Sequence, residues 1–168
     1  MRFYRKLLTI VFVVIIAACV TTPISNKSAF IMIPIRQEIA LGKQAYNQIL
    51  KEEKDSDDKK TTALVKQIGL RLAKVSAMPI LDWEFHLIES EQQNAFALPG
   101  GKVAVYTGLL PVAMNEAGLA TVMSHEIAHV IARHGAQRMT RQLILTAGLM
   151  ATSITVSYTH LRAHETSL

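Results

Sequence analysis

The stretch TVMSHEIAHVIARHG, Thr121 to Gly135, decides how the rest of the chain is read. His125 and His129 stand four residues apart with Glu126 beside the first of them. On a helix, residues at that spacing lie one above the other, so both imidazoles can grip one ion from a single face. Glu126 is turned about 100° round the axis from His125, which carries its carboxylate past the ion toward a water held there. Zinc lowers the pKa of such a water toward about 7, and a neighbouring carboxylate can then take its proton. Leu119, Val122, Ile127, Val130 and Ile131 supply an apolar face to bury, and a buried helix keeps ligands in register. The bland reading is two surface histidines on an ordinary amphipathic helix. The motif's position in mid-helix, among apolar neighbours, weighs against it.

The helix has readable ends. Asn115 followed by Glu116 marks its start, because the side-chain oxygen caps free N–H groups and the carboxylate suits the dipole. Gly135 is placed as the stop, which predicts a helix from about Glu116 to His134. A catalytic zinc site takes three protein ligands and a water, and H-E-x-x-H provides two. The extended pattern H-E-x-x-H-x-x-G-x-x-H fails, with Ala132 at the glycine position and Gly135 where the third histidine would stand. His134 lies about 180° from His125 on a continuous helix, which makes it a poor third ligand. It reads as a helix-end histidine or a partner standing behind a ligand.

Upstream, PIRQEIALGKQAYNQILKEE predicts a helix with Pro34 near its start and Ile35, Ile39, Tyr46, Ile49 and Leu50 on one face. KEEKDSDDKK mixes charges densely and reads as a solvated helix end and loop. TTALVKQIGLRLAKVSA predicts a second amphipathic helix, with Thr61 or Thr62 as its cap and Leu64, Ile68, Leu72 and Val75 as its stripe. DWEFHLIES switches to period two and reads as a half-buried strand, with Trp83, Phe85 and Leu87 opposite Glu84, His86 and Ile88. His86 is therefore expected on the strand surface and not as a ligand. Asn94 and Pro99-Gly100-Gly101 are turn residues, and Val103 to Thr107 is strand-like. RQLILTAGLMATSIT predicts another helix, too short to span a bilayer.

The formal charge is +5, but Arg2, Arg5 and Lys6 lie in the N-terminal segment, leaving 15 basic to 13 acidic residues. No basic stripe with interleaved aromatics remains, which argues against nucleic-acid binding. MRFYRK is a basic lead, LLTIVFVVIIAA an apolar run shorter than the ~20 residues of a spanning helix, and Ile16-Ala17-Ala18-Cys19 closes it. The segment resembles a bacterial lipoprotein signal, which implies cleavage before Cys19 and lipid on that residue. A short uncleaved anchor is the alternative. With one cysteine in the chain, no internal disulfide can form.

Taken together, NAFALPGG, the strand KVAVYTGLL and MSHEIAHVIARHG resemble the HtpX-like, Oma-type and CAAX-prenyl-protease family of zinc endopeptidases, peptidase family M forty-eight, over roughly Glu38 to Thr152. The lipobox adds a likeness to the family's lipoprotein branch, on the periplasmic side of the outer membrane. The resemblance implies an α+β gluzincin-type domain, of which this chain carries the N-terminal half: a small sheet with an edge strand beside the active-site helix. It implies one Zn2+ per chain, with His125 and His129 as ligands and Glu126 as general base. It also implies that Val103, Ala104, Val105 and Tyr106 form an edge strand pairing with extended substrate, with Asn94, Ala95 and Phe96 nearby. Main-chain pairing of that kind reads an unfolded segment with little side-chain preference.

The family's third ligand is a glutamate of a later E-x-x-x-D motif, and past Gly135 this sequence holds one acidic residue, Glu165. VSYTHLRAHETSL, from about Val156, is similar to a one-frame translation of a sequencing adapter. It is expected to be artefactual, so His160, His164 and Glu165 are not taken as ligands; a genuine short variant with a polar tail is the alternative. The expected organisation is a signal at 1–18, a tether at 19–34, the N-terminal part of a peptidase domain at 35–155 and the tail at 156–168. The expected partners are unfolded or misassembled polypeptides and, through Cys19, a membrane. A chaperone that binds outer-membrane proteins without cutting them is the second reading, and a plain structural lipoprotein the third.

Overall fold

The computed structural model describes the backbone of residues 19–21 and 28–165, and side chains for 29–147, 149 and 150. The signal expected at 1–18 lies outside the described residues, as does the side chain of Cys19. Two short strands come first, β1 (Cys19–Thr21) and β2 (Ser28–Phe30), paired antiparallel. Helices α1 (Ile35–Glu52) and α2 (Lys59–Val75) follow. Strands β3 (Glu84–Ile88), β4 (Ala95–Leu98) and β5 (Lys102–Tyr106) form one sheet. After a single 3-10 turn come α3 (Leu110–Ala113), α4 (Glu116–Ile131) and α5 (His134–Glu165). The fold is α+β, as expected. No helix of the described residues is long and apolar enough to cross a membrane.

The sheet order is β3-β5-β4, with β3 parallel and β4 antiparallel to β5. This corrects one expectation. Val103, Ala104, Val105 and Tyr106 form the middle strand and not an edge, paired on both sides and at most 7% exposed. Its burial is visible in KVAVY, apolar at four consecutive positions as in a strand covered on both faces, and the parallel pairing with β3 is what takes it off the edge. Phe85, Leu87, Val103 and Val105 face α2 and α4, joining Val65, Ile68, Leu119, Met123 and Ile127 in the main core. Ile88, Ala104 and Tyr106 face the other way, against Tyr46 of α1. Ile88 is thus fully buried where alternation placed it outside.

Helices α1 and α2 each make a close approach at a glycine. In α1 the buried stripe is Glu38, Gly42 and Tyr46, spaced by four, whereas Ile35 is exposed. A Cβ on Gly42 would lie 2.2 Å from the carbonyl oxygen of Pro99, so only glycine lets α1 come this close to the β4–β5 turn. In α2 the Phe85 ring takes the place of a side chain at Gly69, with Val65, Ile68 and Ala73 buried beside it. Val75, expected in the stripe, is 82% exposed. The cap of α2 is Asp58 and not Thr61 or Thr62, because the Asp58 carboxylate accepts from the Lys60 and Thr61 N–H groups, each at 3.0 Å. The Thr61 hydroxyl, and after it those backbone bonds, hold the Asp58 carboxyl below the ordinary range.

The β4–β5 turn uses Gly100 and Gly101 at φ 89 and 85, the left-handed region that glycine enters freely. Lys102, at the start of β5, is buried and donates to the Asp82 carbonyl at 2.7 Å, the Asp82 carboxylate at 2.8 Å and the Glu84 carboxylate. Along the outer side of β3, Ser56 N–H donates to Leu87 O and Glu89 N–H to Lys54 O, so that edge is partly covered. The segment expected as a tether, 19–34, is docked from Ile31 onward. Ile31 is buried, Met32 N–H donates to Thr140 Oγ1 at 3.1 Å, and Ile33 O accepts from Arg133.

Candidate active site

Helix α4 starts where the sequence places it. The Asn115 side chain accepts from Gly118 N–H at 3.0 Å, and Glu116 opens the first turn. The buried face of α4 is Leu119, Met123, Ile127, Val130 and Ile131. Four of these, Leu119, Met123, Ile127 and Ile131, are part of the main core. That packing leaves His125 exposed and His129 and Glu126 half-buried on the open side. The two imidazoles meet as the spacing requires, with His125 Nε2 3.0 Å from His129 Nε2 and the rings edge-on at 4.5 Å.

The end of α4 departs from expectation. The helix closes at Ala132, Arg133 takes φ 54, and His134 begins α5, so Gly135 lies inside the next helix. A left-handed turn at a non-glycine residue is uncommon and needs outside support. Arg133 has it: its Nε donates to Glu38 Oε2 at 2.8 Å and its Nη2 to Ile33 O at 3.0 Å, with Glu38 only 3% exposed. Gln137 Nε2 also reaches back to Ala132 O at 2.8 Å. As a result His134 is not on the far side of a continuous helix. Its Nδ1 lies 2.5 Å from Nδ1 of His129. Burial, then the charges of His129, Arg138, Arg141 and His125, hold the His134 imidazole below the ordinary pKa.

The edge strand beside α4 is β4. It pairs with β5 along one edge and contacts both α4 and α1. Phe96, Ala97 and Leu98 of β4 line an open groove of about 730 Å³, with Glu126 and His129 on one wall and Leu41, Gly42 and Ala45 of α1 on the other. His134, Arg138 and Met139 close one side of it. Of the substrate-side residues expected, Phe96 is at the groove. Ala95 packs against the main core, and Asn94 serves the sheet by accepting from Tyr106 N–H at 3.0 Å. His86 is a strand residue paired with Asp55 at 3.2 Å and edge-on to Tyr46, away from the site.

Sequence reasoning missed Glu38 and Arg133, the clamp that shapes the end of α4. The available signal was the i, i+4, i+8 series Glu38, Gly42, Tyr46, which marks a helix face where backbone approaches closely and a carboxylate goes inside. Among the described residues no third histidine, cysteine, aspartate or glutamate completes a metal group with His125 and His129. The pair itself fits zinc. Two nitrogens bound tetrahedrally at about 2.0–2.1 Å stand roughly 3.3 Å apart, close to the span these two already hold.

With that geometry in view, comparison with known proteins is decisive. A model of peptidase family M48 matches residues 59–166. The chain belongs to peptidase family M48. Among M48 relatives it is 39% identical over 140 residues to the mitochondrial metalloendopeptidase OMA1 of Schizosaccharomyces pombe, covering 80% of this chain and 42% of that one. It is 34% identical over 122 residues to the beta-barrel assembly-enhancing protease of Escherichia coli, covering 73% of this chain and 25% of that one. The OMA1 of Arabidopsis thaliana is 37% identical over 93 residues, 55% of this chain and 19% of its own. This M48 chain therefore spans less than half the length of those relatives.

Proposed function

We propose that the protein is a zinc-dependent metalloendopeptidase that hydrolyses peptide bonds of misfolded or misassembled cell-envelope proteins, tethered as a lipoprotein through Cys19 and facing the periplasm. The observation that carries the reading is the pair of Nε2 atoms 3.0 Å apart on the open side of α4, with Glu126 and His129 at the wall of a groove that follows an edge strand. His125 and His129 would hold the ion. When bound, zinc supplies a Lewis acid and brings the pKa of water into the neutral range.

The rest falls to the chain's own groups. The free edge of β4 offers unpaired backbone donors and acceptors to an extended substrate, and Phe96 and Leu98 offer it apolar surface. Glu126 accepts the proton of the attacking water as the new carbon–oxygen bond forms and then gives it to the departing amine as the carbon–nitrogen bond breaks. Recognition through main-chain pairing selects for unfolded segments, since most backbone groups of a folded domain are already hydrogen-bonded. The same groove also supports the second reading, a chaperone, because client binding at β4 does not need Glu126.

Glu126→Gln in the full-length protein separates the two. Casein cleavage is expected to fall by about 10²–10⁴-fold while client binding is unchanged. Unchanged cleavage would reject the enzyme reading.

A further inference from the structure

We propose that His134 is a positioning residue for His129: it accepts a hydrogen bond from Nδ1 of His129 and so keeps Nε2 of that ring free to bind the ion. The inference rests on the reading of His125 and His129 as zinc ligands and adds a residue that the H-E-x-x-H motif does not contain.

The geometry divides the two nitrogens of His129 between two tasks. Its Nε2 faces Nε2 of His125 at 3.0 Å, and its Nδ1 faces Nδ1 of His134 at 2.5 Å. A neutral imidazole carries one proton. When Nε2 gives its lone pair to an ion, that proton must sit on Nδ1, and the bond to His134 can run only one way. His129 donates, His134 accepts at Nδ1, and His134 keeps its own proton on Nε2. The reverse assignment protonates His129 Nε2 and closes the site. His134 thus selects the tautomer that binds, as a partner on the far nitrogen does for ligand histidines generally. It is not itself the missing ligand, because it meets the ring on the nitrogen turned away from His125.

The arrangement is built and not incidental. On an unbroken helix His134 would lie about 140° round from His129 and could not touch it. The left-handed turn at Arg133 brings it back, and Glu38 and Ile33 O hold that turn from a different element. The rings of His129 and His134 stand 4.7 Å apart at 62°.

The test is zinc affinity of the full chain by competition with a chelator, with zinc ion as the probe. His134→Ala is expected to bind about 10–100-fold more weakly than wild type. His134→Gln, whose side-chain carbonyl can accept the same bond, should recover most of that loss. Nitrogen-resolved NMR of the zinc-loaded wild type should show the proton of His129 on Nδ1 and that of His134 on Nε2. Wild-type affinity in His134→Ala, or a proton on Nδ1 of His134, would overturn the proposal while leaving the zinc site standing. A wild type that binds no more tightly than His129→Ala would overturn the zinc reading and this one with it.

Discussion

At its first turn α4 is capped by Asn115, whose side chain accepts from Gly118 N–H at 3.0 Å; at its last turn the chain reverses through Arg133 at φ 54. The first device is local, made by residues three apart. The second is assembled from Ile33, Glu38 and Arg133, about a hundred residues apart in sequence. The difference is functional as well as structural. The first end only begins the helix, some ten residues before the ligands. The second end sets where His134 stands, and with it the hydrogen bond behind His129.

The contrast breaks most sharply at Glu38. Glu38→Ala leaves the Arg133 guanidinium, 12% exposed, without its carboxylate, and should cost about 3 kcal/mol or more in urea unfolding. Zinc affinity should fall with it, because the turn that delivers His134 loses its support. A loss below about 1 kcal/mol would mean the turn is held by other contacts. Asn115→Ala should cost about 1 kcal/mol and leave zinc affinity unchanged, since the cap is remote from the imidazoles. If affinity dropped there too, the two ends of the helix would be coupled. The smallest effect belongs to Met114, which precedes the cap at φ 61 and is 84% exposed, so its side chain holds little in place. Met114→Gly should raise stability by about 0.5 kcal/mol, the relief of a left-handed L-residue less glycine's larger unfolded freedom. Thermal or urea melts that show a loss would locate a packing role for this side chain.

What the sequence revealed follows the same division. Local chemistry was legible: the Asn115 cap, the glycine turn at 100 and 101, the strand Glu84–Ile88, and the facing of His125 and His129. Features set by distant partners were not. The stop of α4 was assigned to Gly135 because glycine favours the left-handed turn, yet Arg133 takes that conformation under the hold of Glu38. The middle position of β5 depended on its parallel pairing with β3, a strand that lies beyond β4 in sequence. One error was avoidable. In DDKKTT the aspartate outcompetes threonine as a cap, and Asp58 stands one residue before the first helical turn.

The strand order carries a consequence for how the chain is made. The middle strand is the last of the three to be synthesised, and the two outer strands are not neighbours. A nascent chain that ends before Lys102 therefore holds Glu84–Ile88 and Ala95–Leu98 without the strand that joins them. The sheet can zip only when residues 102–106 leave the ribosome, and α4 emerges next. Assembly of the layer that seats the histidines is thereby timed to their own appearance.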